Sequence, residues 1–182
     1  MGKSWRSLTI STLLGAIGYL LMYIAIPIVP IAPYMKLDFS GIPILLAFLV
    51  FGQKEGYVSL GIKELLHLIF EGMSVGNLIG VLADAMELII LAEIVYFVSK
   101  GGRKNFVWAI ISSTLVATIV MSAANYWIIT PLYMKVIGMK ITIPLIKLVL
   151  IGVVPHNLIK GVLISGLTLL LLPRLRKVLV SQ

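Results

Sequence analysis

The sequence contains no cysteine and only two histidines, His67 and His156. The lack of cysteine excludes disulfides, thiolate metal sites and cysteine nucleophiles, and two imidazoles are too few for a histidine-rich metal site. The chain also lacks a Gly-x-x-x-x-Gly-Lys-Ser/Thr phosphate loop, a Gly-x-Ser-x-Gly nucleophile elbow and a His-Glu-x-x-His metal pair. We therefore predict that the chain is not an enzyme and has no catalytic residues, no metal and no cofactor.

Charge is scarce as well, since charged residues make up 12% of the 182 residues, whereas a soluble domain carries about 25%. Hydrophobic residues make up 60%, and the mean hydropathy is +1.10. The formal net charge of +8 does not indicate nucleic acid, because the basic residues lie between apolar runs rather than on a soluble surface. We predict an all-α integral membrane protein, with residues 1–182 as a single transmembrane domain in the lipid bilayer.

Turn and proline signals divide the chain into six predicted transmembrane helices. Helix 1 is expected to be retained, because its apolar part is longer than that of a signal peptide and no clear cleavage site follows it. Pro131 is expected to end helix 5, and a basic tail that begins at Pro173 closes the chain. The predicted helices cover residues 8–28, 42–51, 57–70, 75–98, 106–129 and 143–172.

A long segment between helices 1 and 2, residues 27–43, contains four prolines and cannot form a regular helix. It also carries Tyr34, Met35, Leu37 and Phe39, which give it too much apolar surface to remain in water. We predict an ordered outer loop that folds down as a lid; the alternative is a loop that merely caps the bundle.

Helices 3 and 4 carry acidic and basic residues that are costly in a membrane. Lys63 and His67 share one face of helix 3, with Glu64 adjacent, which favours internal pairing or a wet cavity over a proton relay. Asp84 and Glu87 are three residues apart on helix 4. They could form a paired acid and base, but contacts with Lys63, Lys147 or a partner subunit are preferred, because no nucleophile or metal ligand accompanies them.

The last two helices carry amides and an amine within apolar sequence. Asn157 and Lys160 share a face of helix 6, with His156 at its edge. Asn125 ends a polar stripe on helix 5, and its amide is expected to need partners outside its own helix. We predict that this face is one wall of a ligand site, the alternative being a helix-packing amide beside a snorkelling lysine.

The basic residues indicate an orientation. One set of loops and ends holds nine of them, and the opposite loops hold three, so both termini are predicted to be cytoplasmic in a multi-pass protein of the cell membrane. The nine are Lys3, Arg6, Lys54, Lys100, Arg103, Lys104, Arg174, Arg176 and Lys177, and the three are Lys36, Lys135 and Lys140.

Four segments, including the motif Pro155-His156-Asn157, resemble the substrate-binding S components of energy-coupling factor (ECF) vitamin transporters, most closely the riboflavin-specific members. They are residues 34–43, 63–67, 125–133 and 155–161. The resemblance implies six helices and an outward-facing vitamin pocket. It also implies docking to a transmembrane coupling protein and two ATPase subunits.

The resemblance also assigns roles to residues. The implied substrate-binding residues are Tyr34, Leu37, Asp38, Phe39, Asn125, Trp127, Asn157 and Lys160. The small-residue flank of helix 1, Ser11 and Gly15, is implied to dock the coupling protein. Two departures stand out: a phenylalanine is usual in place of His156, and helix 4 of the family is mostly apolar or amide-bearing where this chain has Asp84 and Glu87.

Three functions are therefore considered. The first is an S component that binds riboflavin, which would be the transported ligand and not a cofactor. The second is an S component for another vitamin, such as pantothenate or a pyrimidine. The third is a membrane enzyme or regulator that uses Asp84, Glu87 and His67.

Overall fold

A computed structural model describes residues 2–31 and 35–180, and within these ranges the backbone forms six helical rods. The first four rods are α1 (Gly2–Leu21), α2 (Gly41–Phe51), α3 (Gln53–Glu71) and α4 (Val75–Ser99). The fifth consists of α5 (Phe106–Ala124), a π turn (Asn125–Ile129) and α6 (Thr130–Ile137). The sixth consists of α7 (Leu145–Leu148), a π turn (Val149–Val153) and α8 (Val154–Val180). In the loop after α1, β1 (Ile26–Pro27) pairs antiparallel with β2 (Lys36–Leu37), and a 3-10 turn (Arg103–Asn105) precedes α5.

The all-helical prediction is confirmed, but the C-terminal ends predicted for three helices are wrong, and α1 and α3 begin before the predicted residues 8 and 57. Helix 1 stops at Leu21, and Ile26 and Pro27, which were included in the predicted helix, pair in the short β ladder instead. The fifth rod continues past Pro131, which lies in the first turn of α6, where a missing N–H is tolerated. The sixth rod likewise continues past Pro173. Proline predicts a helix stop in both cases, but a long helix tolerates it when neighbouring helices hold the rod in place.

The short helix α2 lies at the centre of the bundle. Its side chains Ile44, Leu45 and Phe48 are fully buried and belong to one cluster with Leu88 of α4 and Ile164 of α8. Two rods among the described residues are long and apolar enough to cross a membrane, and α2 is apolar but short. The two long rods are Phe106–Ile137 and Leu145–Leu179.

Three of the basic segments, together with the start of α1, meet at one end of the bundle, which we call the basic end. Ser7 Oγ donates to Glu55 Oε1 at 3.3 Å and so ties the start of α1 to the start of α3. A single cavity is lined by Gly52, Lys100 and Arg176, from the α2–α3 link, the end of α4 and the end of α8. The alternation of basic and less basic connections in the sequence therefore corresponds to the two ends of the folded bundle.

The opposite end, which we call the loop end, holds the segment between α1 and α2. There Tyr23 Oη donates to Glu71 Oε1 at 2.7 Å, joining the chain after α1 to the end of α3. Tyr133 Oη donates to the carbonyl oxygen of Gly76 at 3.2 Å, joining α6 to the start of α4. These contacts place the long loop and the end of the fifth rod at the same end of the molecule.

Close packing between α2 and α3 depends on Gly56. A Cβ atom at this position would overlap the ring of Phe48, whereas at Gly61 of the same helix no described atom lies within 4 Å of the Cβ position. We expect Gly56→Ala to destabilise the protein by about 1–3 kcal/mol through overpacking. Gly61→Ala should be neutral or stabilising by up to about 1 kcal/mol, because alanine favours helix. Thermal unfolding in detergent tests this pair, and equal midpoints for the two variants would contradict the packing.

Candidate functional site

The sixth rod presents a polar face to the interior just after its π turn. His156, Asn157 and Lys160 are 4%, 2% and 4% exposed. Close contact between α8 and α5 is possible because residue 161 is glycine: a Cβ there would lie 2.9 Å from two atoms of the Thr114 side chain. The three polar side chains are therefore held inside the bundle rather than against lipid.

The ammonium of Lys160 is held by two carboxylates of α4. Its Nζ lies 2.9 Å from Asp84 Oδ1 and 2.9 Å from Glu87 Oε2. Asp84 also pairs through Oδ2 with Nζ of Lys63, whose ammonium lies 2.8 Å from Glu64 Oε1. These five residues form a continuous chain of ion pairs across α3, α4 and α8, which we call the ionic cluster.

The ionic cluster joins two ammonium groups to three carboxylates. Ions are costly in a low-dielectric interior unless they are paired and hydrogen-bonded. Lys63 is fully buried, so its charge depends entirely on Glu64 and Asp84. The cluster therefore fixes the relative positions of three helices, and removing either ammonium would leave buried carboxylates without compensation.

Several polar atoms beside the ionic cluster lack a hydrogen-bond partner among the described residues. They are Asn157 Nδ2, His156 Nδ1, Glu87 Oε1 and Glu64 Oε2. A buried polar atom without a partner costs about 1–3 kcal/mol. The site thus offers a donor on Asn157 and an acceptor on Glu87 that an incoming polar molecule could satisfy.

The long loop folds onto the start of the sixth rod. Val29 and Met35 belong to a buried cluster with Leu148, and Leu37 is 2% exposed. Val29 and Leu37 are therefore covered, whereas Ile26 and Ile31 of the same segment are 50% and 38% exposed.

The Asp38 carboxylate follows β2 and is buried. It accepts a hydrogen bond from the backbone N–H of Ser40 at 2.8 Å and interacts electrostatically with Lys160 and Glu87. The loop therefore brings a fourth carboxylate near the ionic cluster.

Two cavities lie elsewhere in the described part of the chain. One, of about 560 Å³, is at the basic end, and the other, of about 190 Å³, is an apolar cleft between α4 and the fifth rod. Neither is lined by Asn125, Asn157 or Lys160. These two cavities are therefore separate from the predicted ligand site.

Comparison with known proteins decides the family. The family model described as "ECF transporter, substrate-specific component" matches residues 6–172. This chain belongs to that family. A solved structure reported as the S component of a bacterial ECF transporter is similar over 97% of this chain and 99% of that chain, with a TM-score of 0.80 and 34% identity.

Similar proteins from several bacteria carry riboflavin in their names. The riboflavin transporter RibU of Staphylococcus aureus (strain TCH60) is 35% identical over 177 residues, which is 96% of this S component and 92% of the relative. RibU of Streptococcus thermophilus (strain ATCC BAA-250 / LMG 18311) is 31% identical over 180 residues, 97% and 85% of the two chains. The riboflavin transporter FmnP of Bacillus subtilis (strain 168) is 29% identical over 164 residues, 88% and 86% of the two chains.

In this S component Asn125 finds its partners locally, which corrects the expectation of partners outside its helix. Its Nδ2 donates to the carbonyl oxygen of Met121 at 2.9 Å, and its Oδ1 accepts from Thr130 Oγ1 at 3.3 Å. Asn125 is buried and is the first residue of a π turn, a feature frequent at functional sites. The turn brings Thr130 within reach of the amide, which the linear spacing does not suggest.

The structure does not bring every implied binding residue to the ionic cluster. Trp127 is 72% exposed, with its ring edge-to-face against Tyr126, so its implied role in substrate binding has no support from this arrangement. Phe39 is half-buried. Tyr34 lies outside the described residues.

The small flank of α1 is an internal contact in this S component. Ser11 is fully buried, and a Cβ substituent on Gly15 would meet Ile62 and the backbone of Ser59 in α3. These two residues therefore offer no exposed surface to a partner. Exposed apolar residues of the same helix, such as Leu13 and Ile17, lie on a different face. The docking role predicted for Ser11 and Gly15 remains a prediction that this packing does not support.

Sequence reasoning missed the partners of Lys160. The pattern of residues predicts that Lys160 contacts a ligand and that Asp84 contacts Lys63, Lys147 or a partner subunit, whereas Asp84 bridges Lys63 and Lys160. Lys147 is exposed and takes part in none of the ion pairs among the described residues. The available signal was the spacing of Asp84 and Glu87, which puts two carboxylates on one helix face opposite a cation.

Proposed function

We propose that this chain is the riboflavin-binding S component of an ECF-type importer, a single transmembrane domain over residues 1–182. The observation that carries the proposal is the 35% identity, over 96% of the chain, to a protein named as a riboflavin transporter. The relatives compared are named as transporters, which supports a binding role and not an enzymatic one.

The site chemistry suits this vitamin. Riboflavin combines a flat, largely apolar ring system with a polar edge and a chain of hydroxyl groups. Asn157 has a free amide donor, and Lys160 is a buried cation close to it in sequence on the same helix face. Leu37 and Phe39 of the loop supply apolar surface, and Asp38 supplies an acceptor. These residues, with Asn125, form the proposed binding site.

Binding requires the loop end to open. The loop packs through Val29 and Met35 against Leu148 of the sixth rod. We propose that the loop separates from this rod to admit the ligand and closes over it. Ordered loops that open for a ligand and then bury it are common in binding proteins.

The proposed membrane orientation follows from the two ends of the bundle. The basic end would face the cytoplasm with both termini, and the loop end would face outward, with all six rods crossing or entering the bilayer. The vitamin would then be captured from outside. Since the sequence has no nucleotide-binding loop, delivery would depend on a transmembrane coupling protein and two ATPase subunits.

Purification from rich medium tests the proposal. We expect yellow protein with flavin absorption bands at about one flavin per chain, and rebinding of riboflavin after it has been washed out. Pantothenate and a pyrimidine serve as matched competitors and should not displace the flavin. In vesicles, the chain alone should bind riboflavin without concentrating it. Colourless protein that fails to rebind riboflavin would refute the assignment, and ATP-driven uptake without partners would refute the need for a separate module.

A further inference from the structure

The larger cavity lies at the basic end, far from the proposed vitamin site along α8. It measures about 560 Å³ and opens between the ends of α2, α4, α5 and α8. Its size falls within the range of small-molecule sites, roughly 300–1,000 Å³. We propose that this cavity binds the headgroup of an anionic phospholipid. The inference rests on the membrane location shared by the family and not on the identity of the vitamin.

The charge of the cavity selects an anion. Lys100 and Arg176 both line it, and among the described lining residues there is no carboxylate. Neither cation belongs to an ion pair in the described part of the chain. Lys100 Nζ lies 4.2 Å from the ring centroid of Tyr96, another lining residue, which keeps the ammonium beside the cavity. Two cations without a protein counter-ion at one cavity match a phosphodiester group.

The apolar surroundings indicate a lipid rather than a soluble phosphate compound. Phe51, Phe106 and Leu172 form part of the cavity wall. Val107 and Trp108, which follow the lining residue Phe106 along α5, are 63% and 66% exposed, as suits residues that face acyl chains. A soluble phosphate compound would pair with the two cations and leave this apolar surface uncovered. A phospholipid pairs with the cations through its headgroup and covers the apolar surface with its acyl chains.

The test uses lipid quenchers and a tryptophan, Trp108, that lies two residues along α5 from the lining residue Phe106. Trp5 and Trp127 are replaced by Phe, which leaves Trp108 as the only tryptophan of the chain. The protein is reconstituted in bilayers that contain phosphatidylglycerol or phosphatidylcholine with brominated tails, and the fluorescence of Trp108 is measured. We expect stronger quenching by the brominated anionic lipid at equal mole fraction. Equal quenching by both lipids would overturn the proposal.

Charge variants distinguish lipid binding at the cavity from non-specific attraction of anionic lipid to the basic surface. K100Q and R176Q should each lower the relative affinity for the anionic lipid on the order of fivefold. K104Q and K177Q remove the same charge from neighbouring positions that do not line the cavity. They should change the relative affinity for the anionic lipid less than twofold. An equal loss in the control variants would overturn the proposal. Reversal of the quenching by soluble glycerol phosphate would overturn it as well, because the occupant would then be a free phosphate compound.

Discussion

Replacing Lys63 by Met is expected to destabilise the protein by about 3–5 kcal/mol, the cost of removing one partner from a buried ion pair. Lys63 is fully buried, and its ammonium contacts Glu64 and Asp84. The variant leaves one ammonium, that of Lys160, for three carboxylates. Thermal unfolding of the detergent-solubilised protein measures the loss, which should also appear as a lower yield of folded protein.

Two further variants test whether charge balance is the cause. Lys54→Met removes an exposed lysine from the first turn of the same helix and should change stability by less than about 0.5 kcal/mol. Adding Glu64→Gln to Lys63→Met removes the carboxylate that pairs only with Lys63, and it should recover at least about 1 kcal/mol. If the double variant is no more stable than Lys63→Met, lost packing of the long side chain explains the effect and the electrostatic account fails.

Replacing Asn157 by Ala should weaken riboflavin binding roughly tenfold or more, because a ligand group left buried without its partner costs about 1–3 kcal/mol. Asn157 is 2% exposed, and its Nδ2 has no partner among the described residues. The substitution therefore breaks no hydrogen bond between that nitrogen and a described residue. Titration of riboflavin fluorescence against the washed protein gives the affinity.

The control for this variant is Asn105→Ala, at the basic end, where the amide donates to the carbonyl oxygen of Val98 at 3.3 Å. Its riboflavin affinity should match that of the wild type. Lys160 is a poorer probe of binding, because its removal also deprives Asp84 and Glu87 of their shared cation. Wild-type affinity in Asn157→Ala would exclude this amide from the binding site.

The helical character of the chain was predictable because apolar runs separated by turn residues have few other stable arrangements in a membrane. The burial of Lys63 and its pairing with Asp84 were also predictable, since ions at membrane depth need partners. The residues at which the long helices end were not predictable. Pro131 and Pro173 were read as stops, but whether a proline ends a helix depends on whether neighbouring helices support the rods that contain it.

Residues that form the candidate site were only partly predictable. Periodicity puts Asn157 and Lys160 on one face of α8, and the structure buries both. Helical periodicity does not determine which charged residue lies opposite Lys160, because that depends on how α4 is rotated about its axis in the bundle. The same limit explains why the predicted docking role of Ser11 and Gly15 is not supported. Small residues predict a close helix contact, but they do not indicate that the contact is with α3 of the same chain.

The sequence by itself determined the membrane class, the number of helical rods and the segregation of basic residues, because each follows from local composition along one chain. The tertiary structure alone decided that Asp84 bridges two lysines, that Asn125 is satisfied within its own rod and that a cavity of about 560 Å³ lies at the basic end. These features depend on distances between side chains that are far apart in sequence. Such distances are set by how the helices pack, which linear spacing does not specify.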